Sequence, residues 1–216
     1  NELYIQQKNY ESSIKILAGG IDSTPNAIYL YGMLGATYFI MGKQDTAATI
    51  WRDGISSNSN YEMTYRIISN FAIQNRAFDL AAEFLLEGKK YASNPLSYSY
   101  ELAQIYTVNM LYNEATTEYC EILEKEPGQM NNVRSRVSQF IGQHGATDAA
   151  IEAVQDYLDN NDQTIIKEFL AYLYSINKNY QKAFSIIDDL ESESNGNGSL
   201  LFNFAQTAYQ NNEYDA

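Results

Sequence analysis

Cysteine, histidine and proline are nearly missing from this chain of 216 residues, with one, one and three copies. A lone Cys120 can form neither an internal disulfide nor a thiolate metal cluster, so no such staple organises the fold. It lies on a helical pattern in Glu118-Tyr119-Cys120-Glu121 and reads as a small packing residue. With His144 as the only histidine, neither a zinc site nor a Cys–His nucleophile pair with spare members can be assembled. Three prolines and twelve glycines leave room for long helices. Positive charge is scarce too: 14 basic against 27 acidic side chains give a net charge of −13, with no Lys/Arg cluster. That balance repels nucleic acid and anionic membrane surfaces, and it suits a basic or neutral partner. No basic-apolar-small leader opens the sequence. The longest uncharged stretch, Ser23 to Gly42, is interrupted by Pro25, Asn26 and glycines, so it reads as half a helical hairpin and not as a membrane span.

What is present is an ordered composition, 45% apolar and 19% charged, with nineteen tyrosines. Tyrosine in that number suits a surface-rich helical architecture in which rings are buried and hydroxyls stay wet. The main signal is periodic. Small residues inside apolar runs fall at Gly35, Ser69, Ala103, Ser138, Ala171 and Ala205, at intervals of 34, 34, 35, 33 and 34. A second series, Ser13, Ala47, Ala81, Ala115, Ala150 and Ala183, runs at 34, 34, 34, 35 and 33. Two antiparallel helices approach closely only where a small side chain lets one backbone nest on the other. Around these points apolar residues keep helical spacing: Tyr31, Leu34, Gly35 and Tyr38; Ser99, Leu102, Ala103 and Tyr106; Lys167, Leu170, Ala171 and Tyr174. On the second helix, Ala47 precedes Trp51, Ala115 precedes Tyr119 and Ala183 precedes Ile187, each by four residues.

These residues resemble the tetratricopeptide repeat, whose 34-residue unit has a large residue, a Leu-Gly pair and a Tyr on its first helix. On its second helix an Ala is followed by an aromatic, and a Pro closes the unit. The segment from Leu96 to Gly128 fits throughout, including Pro127, whereas the fourth repeat is degenerate, with Arg134 for the leading aromatic and Ile141 for the tyrosine. The resemblance implies an all-α fold, an α-solenoid of antiparallel helix hairpins wound as a superhelix. Its repeats are expected near 1–27 (partial), 28–61, 62–95, 96–130, 131–163, 164–197 and 198–216 (partial), as one solenoid domain. Pro25, Pro95 and Pro127 fall between repeats, where a first-turn proline is preset for helix entry. Gly42-Lys43, His144-Gly145 and Asn177-Lys178-Asn179 fall in the turns inside hairpins, where positive φ is wanted. The loop from Glu193 to Ser199, with Asn195-Gly196-Asn197-Gly198, is the expected point of flexibility. Asn197-Gly198-Ser199 also spells a glycosylation sequon, although a turn explains it without sugar. Asn1–Tyr4 should end one helix and Tyr214–Ala216 should begin another, so the sequence reads as a fragment of a longer protein lacking solenoid caps.

Catalysis would need a nucleophile–base pair, a metal cluster or a phosphate cradle, and none is spelled out. His144 is a turn residue. Asp159, Asn161 and Gln163 imitate the start of a calcium loop, but the mid-loop glycine is missing and Leu170 stands at the twelfth position. Glu114, Glu118, Glu121 and Glu124 read as a solvated helix face. No cofactor and no metal site is expected, and no enzyme. The compartment stays open, cytoplasmic or exported, and the Tyr/Asn/Ser-rich, cysteine-poor composition leans towards a bacterial chain.

The resemblance further implies that first helices of successive repeats line a concave surface that holds a peptide or a partner helix. Carried onto this chain, the face-lining positions are Tyr29, Ala36 and Phe39; Met63, Arg66, Asn70 and Ile73; Tyr100, Gln104 and Thr107. They continue as Asn132, Ser135 and Gln139; Glu168, Tyr172 and Ser175; Phe202, Gln206 and Tyr209. Amides that donate and accept at once alternate there with aromatics of large contact area, a lining suited to an extended backbone. Some family members clamp a C-terminal carboxylate at the positions of Arg66, Asn70, Glu101, Asn132 and Arg136. Glu101 and Asn132 depart from that pattern, and a carboxylate at Glu101 argues against the clamp. The expected function is a non-catalytic scaffold binding a protein or peptide. A peptide-sensing regulatory module, a substrate-selecting arm of a larger enzyme and a purely structural role are the alternatives.

Overall fold

The computed structural model describes residues 9–58, 61–193 and 197–210. Among them are twelve α-helices, two short 3-10 turns and no strand. The expectations for Asn1–Tyr4, for Tyr214–Ala216 and for Asn195-Gly196 lie outside the described residues. The chain is all-α, and it comprises two compact units, residues 1–105 and 106–216.

The first unit holds α1 (Tyr10–Ser23), α2 (Ile28–Ile40), α3 (Gln44–Ser56), α4 (Met63–Gln74) and α5 (Phe78–Tyr91). A 3-10 turn at Pro95–Tyr98 follows and leads into α6 (Ser99–Val108), whose last residues belong to the second unit. Helices α2 and α3 form one hairpin and α4 and α5 the next, while α2 also packs on α1 and on α4. The second unit holds α7 (Tyr112–Lys125), a 3-10 turn at Pro127–Gln129, α8 (Met130–Val137), α9 (Ala146–Leu158), α10 (Thr164–Ile176), α11 (Tyr180–Glu193) and α12 (Ser199–Gln210). There α9 packs on α7 and α10, and α11 packs on α10 and α12.

The turns inside hairpins keep the period of the sequence. A left-handed residue closes each one: Gly42 (φ 77), Arg76 (φ 61), Met110 (φ 60), Gly145 (φ 75) and Lys178 (φ 58). In four of the five, the next residue's N–H reaches back five positions to a carbonyl: Lys43 to Tyr38 at 3.0 Å, and Ala77 to Ala72, Leu111 to Tyr106 and Asn179 to Tyr174 at 2.9 Å. This 6→1 bond marks a Schellman ending, which satisfies a carbonyl the helix end leaves unpaired and reverses the chain sharply. Two of these sites, Arg76 and Met110, carry nothing in their sequence to announce a left-handed backbone.

The second-helix column of small residues is buried as expected, with Ser13, Ala47, Ala81, Ala115, Ala150 and Ala183 all at 0% exposure. In the first-helix column, Gly35, Ser69, Ala103 and Ala171 are buried. At Gly35 the reason is direct: a Cβ there would stand 2.3 Å from Trp51 Nε1. Trp51 is fully buried, and its Nε1 donates to Gly32 O at 3.1 Å. Ser69 Oγ donates to Ala81 O at 3.2 Å and so ties α4 to α5.

Ser138 and Ala205 depart from that column, since both are exposed. Helix α8 stops at Val137, and Ser138 begins an irregular turn instead of sitting inside a hairpin. Phe140 then folds in, 2% exposed, with its ring stacked 5.4 Å from that of Tyr112. A second correction concerns the carboxylates of α7. Glu118 is 6% exposed and not solvated, because α7 packs on α8, α9 and α10 and its buried arc is wide enough to take in position 118. Cys120 is fully buried and serves packing, and burial pushes its thiol up, so it stays protonated.

Candidate functional site

The face-lining residues fall into two sets, one in each unit. In the first unit Tyr29 is 60% exposed and meets Phe71 edge-on at 6.4 Å. Gly32 makes that approach possible, since a Cβ on it would lie 2.1 Å from the Phe71 ring. Asn70 and Gln104 are exposed and Tyr100 is half-buried. Phe39 is half-buried and stacked on Trp51 at 5.9 Å, inside the α2–α3 hairpin. Arg66 is engaged from within the chain, although its Nε makes an ion-pair contact and no hydrogen bond. Its Nη2 donates to Ser97 O at 2.6 Å, its Nε lies 2.9 Å from Glu101 Oε1, and its guanidinium sits 4.9 Å from the Tyr98 ring centre. Glu101 therefore serves as the counter-charge of Arg66. Glu62 completes the arrangement, taking hydrogen bonds on its carboxylate from Ser93 and Ser97 and on its carbonyl from Tyr98.

In the second unit a related arrangement is left incomplete. Arg134 stacks on Tyr172, 4.8 Å from the ring centre, and the Tyr172 hydroxyl donates to Arg134 O at 3.3 Å. Glu168 stands nearby, one helical turn before Tyr172, but no ion pair with Arg134 forms. Among the described residues the guanidinium makes no hydrogen bond, and its Nε is buried without a partner. Burial pushes the Arg134 pKa down, with the fields of Tyr172 and Glu168 opposing. Burial likewise raises Glu168 and Tyr172, opposed in both by the Arg134 charge. These groups line a cleft of about 160 Å³ between α10 and α12, with Ile187 of α11 and Leu200, Asn203 and Phe204 of α12 on its other walls. Glu168, Tyr172 and Ser175, the fifth-repeat positions read from the sequence, lie along one wall. Phe202 and Tyr209 are 69% and 68% exposed on α12, and Gln206 is exposed between them. Gln139 lies exposed in the turn after α8. Asn132 Oδ1 accepts from Arg136 Nε at 3.4 Å, so those two clamp positions face each other.

The sequence reading missed Arg134, Asn203 and Phe204 as parts of one cleft. A signal did exist: Arg134 replaces an aromatic in an apolar column. Among the described residues no group of three or more His, Cys, Asp or Glu is placed to hold a metal ion. No described helix is long and apolar enough to cross a membrane.

No family model matches the chain, and no curated protein sequence does. Several solved structures are similar to it. YrrB, described as a TPR protein with an unusual peptide-binding site, is 11% identical over 86% of this chain and 96% of that one, at a TM-score of 0.39. BtubC from P. vanneervenii is 16% identical over 91% and 93%, at 0.41. PilF of Pseudomonas aeruginosa is 16% identical over 98% and 81%, at 0.36. Identities and scores this low carry no functional weight, and the repeat type rests on this chain's own helix spacing. Helices that begin at Ile28, Met63, Ser99, Met130 and Thr164 are each followed by a left-handed turn, and those turns lie 33 to 35 residues apart, so the described residues form helical repeats with the spacing of the tetratricopeptide unit.

Proposed function

We propose that the chain is a protein-interaction module and that the cleft between α10 and α12 grips an extended segment of a partner. The observation that supports this is the Arg134 guanidinium, desolvated, laid on Tyr172 and short of acceptors at the edge of an open cleft. A buried donor without a partner costs about 1–3 kcal/mol, and a carbonyl oxygen of a bound segment would recover much of that. Glu168 on the same wall would accept a backbone N–H, and the Asn203 amide would donate and accept at once. Phe204 and Leu200 would take an apolar side chain. Arg66 shows the same cation-on-ring arrangement, but its guanidinium is engaged from within the chain by Ser97 O and by the Glu101 carboxylate, although its Nε too is buried without a hydrogen bond.

The test is selection from a random-peptide display library on the native chain, followed by binding to Arg134→Ala and Tyr172→Ala/Asn203→Ala. Enriched peptides should bind both variants at least about tenfold more weakly, the loss of one buried anchor. Enriched peptides that bind the folded variants as tightly as the native chain would remove the cleft from consideration.

A further inference from the structure

A second cleft, of about 490 Å³, opens among α1, α2 and α3 in the first unit. On the α1 side the lining begins with a small side chain. Ala18 stands at the cleft, and its methyl leaves the space beside it open. The floor is apolar, with Ala18, Ile21 and Ile50, and Asp22 and Asp53 bring two exposed carboxylates to it from α1 and α3. Tyr31 supplies an aromatic wall, and its place is set on two sides. Gly54 lets its ring lie against α3, where a Cβ would be 2.6 Å from Tyr31 Cβ. The Ser57 hydroxyl donates to Asp53 O at 2.8 Å, which leaves its oxygen to accept from the Tyr31 hydroxyl at 3.4 Å.

This lining is a tyrosine ring and carboxylates over an apolar floor, and the chain uses a tyrosine and a carboxylate together in two other places. Arg66 lies on Tyr98 beside Glu101, and Arg134 lies on Tyr172 near Glu168. In both places the cation comes from the chain itself. At Tyr31 it does not. Arg52, adjacent to Asp53 in sequence, is turned away onto Glu83 of α5, with hydrogen bonds of 2.9 to 3.1 Å to both carboxylate oxygens. Neither Asp22 nor Asp53 has an ion pair among the described residues.

We infer that this cleft receives an arginine side chain presented by a partner polypeptide. An arginine's aliphatic stem can lie on the apolar floor while its planar head stacks on the ring and forks to a carboxylate. Lysine would keep the charge but lose the stacked plane and the fork. A net charge of −13 draws a basic partner towards the surface and gives the encounter a salt dependence. The site is independent of the Arg134 cleft, so either can fail without the other.

The probe is the peptide acetyl-Gly-Gly-Arg-Gly-Gly-amide titrated into the full chain, read by NMR shifts of the Ala18, Ile21 and Ile50 methyls. Saturable shifts with a millimolar midpoint are expected, because a single side chain on an open, partly exposed site binds weakly. The lysine peptide should bind more weakly, and the citrulline and norleucine peptides should leave the methyls unmoved. Asp22→Asn/Asp53→Asn should weaken binding about tenfold, Ala18→Leu should block it by filling the floor, and Arg134→Ala should leave it unchanged. The inference falls if the folded chain shows no shifts up to about 20 mM arginine peptide, or if norleucine matches arginine. It falls equally if the double Asn variant responds like the native chain, or if magnesium ion alone reproduces the shifts. Self-association of the native chain that Arg76→Ala abolishes would make a second copy the occupant and overturn the partner as stated.

Discussion

Met110 and Gly42 do the same backbone work in equivalent turns, at φ 60 and φ 77, yet only Gly42 does it without a Cβ. An L-residue in the left-handed region gives up about 1–2 kcal/mol, part of which glycine's freedom in the unfolded chain takes back. Met110→Gly should therefore raise stability by about 0.5–1 kcal/mol in urea unfolding. Gly42→Ala should lower it by about 1 kcal/mol although its Cβ would meet nothing within 4 Å, so the loss is purely one of backbone. Gly35→Ala tests the opposite limit, a site of ordinary backbone with no space, because its Cβ would strike the Trp51 indole. A cost of about 1–3 kcal/mol is expected there. Tyr157 offers a third kind of test. Its hydroxyl donates to Glu124 Oε2 at 2.5 Å, and that bond is the main cause holding the Glu124 carboxyl below its ordinary value. A carboxylate depressed in the folded state adds stability above its unfolded pKa, and loses it as pH falls through the folded one. Tyr157→Phe should cost about 1–2 kcal/mol near neutral pH, and the gap from the native chain should close at low pH, where Glu124 is protonated in both states.

At the scale of the element, α12 packs on α11 through the Phe184–Phe204 ring contact, and its first turn is tied there by one side chain. Glu191 of α11 accepts from the Gly198 N–H on one oxygen and from the Leu200 N–H at 3.1 Å on the other, at the start of α12. A carboxylate there meets both unpaired donors and the positive end of the helix. Glu191→Ala should speed amide exchange across α12 about tenfold or more while leaving α9 and α10 slow, since one capping contact carries about 1–2 kcal/mol. Helices of this kind were legible in the sequence wherever small residues mark close approach. The column from Ser13 to Ala183 is buried throughout, because a helix crossing at short distance admits nothing larger. Ser138 kept the spacing and lost the meaning: α8 ends at Val137, and in the turn that follows Phe140 stacks on Tyr112 of α7. Glu118 misled in the same way, since polarity marks the water-facing side only when a helix has one packed face. The Arg134 cleft was half visible. Its α10 wall follows the repeat, whereas Asn203 and Phe204 enter through how α12 docks, which no single period encodes.

For the whole molecule the excess of acidic side chains is a field as well as a composition. Like charges spread over a helical array repel in the folded state and separate on unfolding, so screening them should favour the fold. Raising sodium chloride from about 10 to about 300 mM, which takes the screening length from roughly 30 Å to under 10 Å, should move the urea midpoint upward. A midpoint that falls would mean that pairs such as Arg52–Glu83 outweigh the general repulsion.

Trp51 is the chain's only tryptophan, and it sits fully buried in the first unit with its ring N–H bonded to Gly32 O. Light absorbed at its red edge is therefore absorbed at one address. Emission excited there follows the α2–α3 hairpin and is blind to residues 106–216, whereas tyrosine fluorescence and circular dichroism sum over everything. Melting curves from the two kinds of signal, taken on one unlabelled sample, will coincide if the two units open together and separate if they do not.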